Sequence, residues 1–150
     1  MRKTPRTTTM SLEIVQRENE KIVILDLKGD LTFGPGDLEF RNRFATLVDT
    51  GTTRLILNLG KLRALDATGL ETLLCALVTL RSLGGRLAMF NMKPHHCEVV
   101  MQARLETVVE VFKDEHDAID SFFADRDVKR YDILHFVEVQ KLRSPGLQPI

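Results

Sequence analysis

Cysteine and the large aromatic residues are scarce in this sequence, which contains two cysteines, one tyrosine and no tryptophan. Cys75 and Cys97 lack C-x-x-C spacing and are too few for a disulfide framework, so we expect reduced thiols in a reducing compartment. Cys75 falls within an apolar helical segment and is predicted to lie in the core. The lack of tryptophan and of all but one tyrosine removes the aromatic platforms that single-stranded nucleic acids and sugars usually require.

An excess of charge of either sign is also absent. The 21 basic residues balance 21 acidic ones, so the formal net charge is zero and no long-range field gathers a polyanion such as DNA. No apolar run approaches the roughly 20 residues that a membrane span needs. The basic residues 1–10 are not followed by the apolar stretch of a secretory signal. We therefore expect a cytoplasmic protein with no nucleic-acid partner and no membrane span.

The sequence does contain enough apolar material for one core. Hydrophobic residues make up 43% of its 150 residues, which fits a single domain. We predict a flexible arm at residues 1–10, which can bury almost nothing, a domain at residues 11–124 and a C-terminal extension at residues 125–150. Within the extension, residues 131–139 fit either a helix or a strand, whereas residues 144–150 predict no regular structure.

Hydrophobic periodicity predicts alternating strands and helices after an initial hairpin. Asp37 is predicted to cap the first helix, which ends near Gly51. The first predicted elements are a strand from residue 12 and a strand at 22–27, joined by a turn at 17–21, and then a helix from 37. A strand at 55–59, which ends at Gly60 and Lys61, is followed by a helix that begins after Asp66 and stops at Gly84. The remaining predicted elements are a strand at 86–91, a helix at 94–101, a strand at 108–112 and a helix at 114–124. Strand–helix alternation favours right-handed crossovers onto one partly parallel sheet, so the predicted fold class is α/β.

The segment from Leu65 to Leu74 places a carboxylate and a hydroxyl where a buried strand meets a helix. The first N–H groups of a helix lack internal partners and the helix dipole is positive there, so an anion on Thr68 would be stabilised by about 0.3 to 1 kcal/mol. The same residues also have a purely structural interpretation. Thr68 followed by Glu71 is a capping box, and Asp66 is an alternative N-cap. Spacing alone favours the structural interpretation and leaves a phosphorylation site open.

Three motifs in this element order carry a resemblance to a known family. They are Asp66-Ala67-Thr68-Gly69-Leu70 after a strand, Gly29-Asp30-Leu31 upstream, and Leu83-Gly84-Gly85-Arg86-Leu87 downstream. Residues 11–124 thus resemble a STAS domain, and more specifically a bacterial anti-sigma factor antagonist. The resemblance implies a mixed sheet of about five strands with about four helices, to which residues 125–150 add an extension.

The resemblance also implies a function in transcription regulation and stress response. The unphosphorylated antagonist binds an anti-sigma factor that is itself a serine/threonine kinase, phosphorylation releases it, and a phosphatase reverses the modification. The family's phosphorylated hydroxyl corresponds to Thr68 and its acidic loop residue to Asp66. The remaining predicted partner-binding residues are Ala67, Gly69, Asp30, Thr32, Asn91 and Pro94. The chain departs from the family where Thr32 replaces a common Asp and where Thr68 replaces the commoner Ser.

Other chemistry has little support in the sequence. His95, His96 and Cys97 suggest a metal site, but adjacent histidines on a helix point about 100° apart and no fourth ligand has matching spacing. The loop at residues 91–96 is instead predicted to border the partner surface. No nucleophile has a base and an orienting group beside it. We therefore predict no enzyme activity, no cofactor and no metal.

Two alternative functions stay open at this point. The first is a scaffold subunit of a larger, stressosome-like STAS assembly, in which Thr68 tunes assembly and the tail from Arg126 forms homo-oligomers. The second is the STAS subunit of a lipid-transport ABC system, which would partner an ATPase and would not need a phosphorylatable hydroxyl.

Overall fold

The computed structural model describes residues 11–126, together with Val128, Ile133, Leu134 and Val137. The predicted arm at residues 1–10 and most of the predicted extension lie outside the described residues. The elements are β1 (Leu12–Asn19), β2 (Ile22–Leu31), α1 (Pro35–Asp49), β3 (Arg54–Leu65), α2 (Ala67–Ser82), β4 (Arg86–Phe90), α3 (Pro94–Gln102), β5 (Val111–Phe112) and α4 (Glu115–Asp120). This order confirms the predicted alternation and the α/β class.

The chain begins with the predicted hairpin, but its turn is shorter than the predicted 17–21, because residues 17–19 belong to β1 and pair with β2. β1 and β2 pair antiparallel from Asn19 opposite Ile22 outward to Leu12 opposite Gly29. The two residues between the strands, Glu20 and Lys21, have φ angles of 51° and 67°. Two successive left-handed residues give the turn whose twist matches paired strands.

The five strands form one sheet in the order β1-β2-β3-β4-β5. The pairs β2–β3, β3–β4 and β4–β5 are parallel. Each parallel neighbour is reached through a helix, and right-handed crossovers that all step in one direction place their helices on one face of the sheet. α1, α2 and α3 accordingly contribute to a single core on that face.

Two hydrophobic clusters cover the two faces of the sheet. The larger is rich in leucine and packs α1, α2 and α3 against the strands. The smaller combines Ile22, Ile24, Ile56 and Phe90 with residues of α4. Because side chains of a strand alternate between faces, Leu55 and Leu57 join the first cluster while Ile56 joins the second.

Part of the second face is polar. Arg17 of β1 pairs with Asp26 of β2 at 2.7 Å and with Glu115 of α4 at 2.6 Å. Hydrogen bonds from Arg17 are the main cause that holds the pKa of Glu115 below its usual value. Burial works to raise the pKa of Asp26, but hydrogen bonds from Arg17 and Asn58 outweigh it and the pKa is lowered. This network ties α4 to the hairpin.

Several predicted boundaries are wrong. β3 does not end at Gly60 and Lys61 but continues to Leu65, because its second half pairs with the end of β2 after a register shift. α1 begins at Pro35, so Asp37 lies in its first turn and does not cap it. The Asp37 carboxylate instead accepts a hydrogen bond from the Thr72 hydroxyl of α2.

The ends of the domain also differ from the prediction. β5 spans Val111–Phe112 and α4 spans Glu115–Asp120, each shorter than predicted, with Asp114 as the N-cap of α4. Cys75 is exposed, which corrects its predicted place in the core. It lies about 140° around α2 from Leu70, off the stripe that packs on the sheet.

Three described apolar residues of the C-terminal extension, Val128, Ile133 and Val137, are buried or partly buried. Val128 packs against the second cluster. Ile133 and Val137 have helical backbone and are 3% and 2% exposed within the first cluster. The extension therefore contributes to the core on both faces of the sheet. No helix in the described part of the chain is both long and apolar enough to span a bilayer.

Candidate functional site at the start of α2

The site is built where β3 ends and α2 begins. Asp66 is the N-cap of α2: its Oδ1 accepts a hydrogen bond from the Gly69 amide at 2.8 Å. Thr68 is the second residue of the helix, so the predicted capping box with Thr68 as the cap is wrong, and the alternative N-cap, Asp66, is the one present. A carboxylate is well placed here because it meets the unpaired amides and the positive end of the helix dipole.

The hydroxyl of Thr68 is consequently not used to hold the helix. Thr68 is half-buried, and its side chain makes no hydrogen bond within the described part of the chain. The hydroxyl thus combines partial exposure with the absence of a structural bond. These are the properties that a phosphate acceptor needs.

Asp66 also binds a second segment. Its Oδ2 accepts a hydrogen bond from the backbone amide of Phe33 at 3.1 Å. Phe33 follows β2, and its side chain is 80% exposed. One carboxylate therefore joins the start of α2 to the loop between β2 and α1.

Gly69 is required by the closeness of α2 and β2. A Cβ at this position would collide with the carbonyl oxygen of Leu31 and lie 2.9 Å from its carbonyl carbon. Both atoms belong to the backbone and cannot turn aside. The predicted role of Gly69 in shaping the Thr68 loop thus corresponds to a backbone contact inside this chain.

A groove of about 510 Å³ opens beside Asp66. Its walls come from α2, from the second half of α3 and from the turn after α3, and the lining residues are Asp66, Ala67, Leu70, Glu71, Leu74, Val99, Gln102, Ala103 and Leu105. The lining is largely apolar, while Asp66 and Glu71 make one end acidic. Ala67 is exposed at this end.

Two further predicted contact residues lie at the end of β2. Asp30 is only 4% exposed, and its carboxylate pairs with Arg63 of β3. Asp30 therefore offers little surface to a partner, whereas the side chain of Arg63 is 57% exposed. Thr32 is half-buried, and its carbonyl accepts the Asp37 amide at 3.2 Å, so it helps to start α1.

The loop after β4 lies in a different place from the Thr68 site. Asn91 has a φ of 64° and donates to the side chain of Asn58 at 3.3 Å. It lines a separate pocket of about 420 Å³ with Gly60, Met92, Lys93, Phe112 and Lys113. Six residues of extended chain, roughly 20 Å, separate Gly60 from Asp66. Pro94 is exposed at the start of α3, and it is the later residues of α3 that reach the groove beside Asp66.

The histidine and cysteine side chains at residues 95–97 are divided between the surface, where His95 lies, and the core, where His96 and Cys97 lie. No group of three or more His, Cys, Asp or Glu side chains in the described part of the chain could hold a metal ion. His96 and Cys97 are both fully buried. Burial lowers the pKa of His96 to about 4 and raises the pKa of the Cys97 thiol to about 11.

Sequence reasoning missed Phe33 and the α3 wall of the groove. Phe33 carries a usable signal, because a large apolar side chain among turn-forming residues has no periodic partner in a core. The part played by Val99 and Leu105 depends on where α3 lies beside α2, which no local pattern reveals.

The model for the STAS domain matches residues 13–118 of this chain. No curated protein matches it significantly. Among solved structures, an anti-sigma factor antagonist from Mycobacterium paratuberculosis is 14% identical with a TM-score of 0.66, and the match covers 74% of this chain and 93% of that one.

The Bacillus cell fate determinant SpoIIAA in its phosphorylated form is 24% identical with a TM-score of 0.55, and the match covers 76% of this chain and 99% of SpoIIAA. The unphosphorylated form of the anti-sigma factor antagonist SpoIIAA is 22% identical with a TM-score of 0.56, covering 77% and 99%. At these identities the likeness is one of fold.

Proposed function

The chain belongs to the STAS domain family, and from this we propose that it is a non-catalytic anti-sigma factor antagonist controlled by phosphorylation of Thr68. In the unphosphorylated form it binds an anti-sigma factor that is a serine/threonine kinase. The kinase transfers the γ-phosphoryl group of ATP to the Thr68 hydroxyl, which loses its proton while ADP leaves, and the complex dissociates. A phosphatase restores the binding form.

The observation that carries this proposal is the division of roles between Asp66 and Thr68. Asp66 caps α2 through the Gly69 amide, so the Thr68 hydroxyl has no structural bond to lose on modification. A phosphate on Thr68 would also lie near the positive end of the α2 dipole, which favours the modified form in the isolated chain. The chain can therefore carry either form without unfolding.

The effect of the phosphate on a partner follows from charge. Phosphothreonine adds about −1.5 to −2 charges at pH 7, on a surface where Asp66 and the exposed Glu71 are already acidic. The kinase pocket that would face Thr68 holds nucleotide phosphates, so the complex must then bring this added negative charge close to charge of the same sign. Like charges at a close interface can cost several kcal/mol, which is enough to dissociate a complex of moderate affinity.

The similar structures add independent support. The match to SpoIIAA extends over nearly all of that protein, which has been solved in phosphorylated and unphosphorylated forms. The same fold in SpoIIAA thus exists with and without phosphate.

The first test is to map phosphate on the protein purified from growing and from stressed native cells. We expect phosphate on Thr68, in a proportion that changes with the condition. Thr68 unmodified in every condition would contradict the proposal and would favour the scaffold and lipid-transport alternatives.

The second test measures binding to a purified anti-sigma factor kinase from the same genome. Thr68→Glu should weaken binding at least about ten-fold, in line with the cost of like charges at an interface, whereas Thr68→Val should leave it near the wild-type value. Thr79→Glu is a matched control, because it adds the same charge to α2 about 16 Å along the helix. Equal affinity of Thr68→Glu and wild type would contradict the charge mechanism.

A further inference from the structure

Phe33 is the most exposed large apolar side chain in the described part of the chain, at 80%, and Leu38 at the start of α1 is 59% exposed. Both belong to the segment that follows β2, next to the start of α2. Aromatic side chains contribute more binding energy at protein interfaces than most other residue types, because they remove a large apolar area from water. Phe33 therefore has the chemistry of an interface anchor.

The backbone at Phe33 is held by a defined contact. Its amide donates to Oδ2 of Asp66 at 3.1 Å, while Oδ1 of the same carboxylate accepts the Gly69 amide at 2.8 Å. Gly69 in turn approaches the Leu31 carbonyl too closely to admit a Cβ. The segment that carries Phe33 is thus attached to α2 through Asp66 and through the Leu31 backbone.

Thr68 lies in the first turn of α2, close to the amides that have no partner within the helix. One of these is the Gly69 amide, which donates a hydrogen bond to Asp66. A phosphate there would compete with the Asp66 carboxylate for these amides and would repel it. The Phe33 amide has no other bond to the described residues. Displacement of the carboxylate would therefore leave the Phe33 amide without its hydrogen bond and the Phe33 segment with only its contact at Leu31.

We propose that Phe33 is the apolar anchor of the partner-binding surface, that Asp66 is the positioning residue that holds it, and that a phosphate on Thr68 releases it. This rests on the proposed function, which it deepens by naming the chemistry of the partner surface. Because Asp66 joins the Phe33 backbone to the start of α2, where Thr68 lies, the occupant is the same kinase partner, and the surface on it that fits the exposed Phe33 ring is an apolar pocket.

The positioning role is tested on the isolated protein by amide hydrogen exchange measured with NMR. Asp66→Asn keeps one carbonyl oxygen and a good N-cap residue but cannot accept both amide hydrogen bonds. We expect the Phe33 amide to exchange roughly ten-fold faster in Asp66→Asn, the effect of losing one hydrogen bond to a charged group. The Gly69 amide, read in the same spectra, reports whether the cap persists.

Phosphorylation of Thr68 should produce the same acceleration at Phe33, and Thr68→Val, which carries no charge, should not. An unchanged Phe33 rate in both Asp66→Asn and the phosphorylated protein would overturn the positioning role. This readout needs no partner, so it stands apart from the test of the proposed function.

The anchor role is tested with the purified anti-sigma factor kinase. Phe33→Ala should weaken binding at least about ten-fold, as for an interface hot spot. Leu83→Ala is the matched control, because Leu83 is 50% exposed at the far end of α2, and it should bind within about two-fold of wild type. Equal binding by both variants would overturn the anchor role.

Two other results distinguish failure of the proposed function from failure of the anchor role. If the wild type binds no such kinase, the proposed function fails and the anchor role with it, while amide exchange still decides whether Asp66 positions Phe33. If Phe33→Ala instead changes the sedimentation of the chain alone, the occupant of this surface is a second copy of the chain, and the assignment to a kinase partner is overturned.

Discussion

Buried His96 should make the protein less stable in mild acid. The side chain is fully buried: its Nε2 lies 3.4 Å from the Arg63 carbonyl, and its Nδ1 has no partner in the described part of the chain. Burial, and then the neighbouring charges of His95 and Lys93, lower the pKa of His96 from 6.5 to about 4. The native state therefore favours the neutral ring.

The sign and size of the effect follow from proton linkage. Between pH 6.5 and about pH 4, the unfolded chain binds a proton at His96 that the folded chain excludes, so stability falls as pH falls. Above pH 6.5 the free energy of unfolding is not reduced by this proton, and below about pH 4 the reduction is complete, at about 3 kcal/mol. Between about pH 7 and about pH 5, where most carboxylates are still ionised, the expected loss is about 2 kcal/mol.

The measurement is urea unfolding followed by far-ultraviolet circular dichroism, since the chain has no tryptophan for fluorescence. His96→Leu should remove most of the change in free energy of unfolding between about pH 7 and about pH 5. His95→Leu, which alters the exposed neighbour, should retain it. The reasoning is refuted if wild type and His96→Leu lose the same stability over this interval.

Three further predictions concern other contacts. Gly69→Ala should lower the free energy of unfolding by about 2 kcal/mol or more, because its Cβ would collide with the Leu31 carbonyl; a midpoint of urea unfolding equal to that of wild type would contradict this contact. Arg17→Met should lower the free energy of unfolding by about 1 kcal/mol, because Asp26 and Glu115 both lose their hydrogen bonds from Arg17. This value allows for solvent screening, since the Arg17 side chain is 37% exposed. Added salt should reduce the difference in free energy of unfolding between wild type and Arg17→Met. Exposed Cys75 should react with a thiol reagent in the native protein, whereas buried Cys97, with its pKa raised to about 11, should react only after unfolding; two fast equivalents in native buffer would show that Cys97 is accessible.

Local patterns in the sequence predicted most of the fold. The hairpin follows from two β-branched runs with a short turn between them, and α2 follows from leucines at helical spacing that pack on the sheet. The family was recognisable for a similar reason. The motif from Asp66 to Leu70 is contiguous, and its context of a strand before and a helix after can be read from neighbouring residues.

Boundaries were predicted less well, because they depend on neighbours that are distant in the sequence. β3 continues past Gly60 since the end of β2 offers it a partner. Asp37 does not cap α1, since its carboxylate meets Thr72, 35 residues away. The sequence contains both residues but no sign that α1 and α2 begin side by side.

The order of residues alone establishes that a carboxylate, a hydroxyl and a glycine lie close together where a strand meets a helix. Which of them does what depends on the folded arrangement: Asp66 caps α2 and holds Phe33, 33 residues earlier, while Thr68 keeps a hydroxyl without a structural bond. The physical reason is the separation in sequence over which each interaction acts. Capping and helical periodicity act over three or four residues and are visible in the sequence, whereas the contact between Asp66 and Phe33 exists because β2 and β3 pair in parallel and end beside each other.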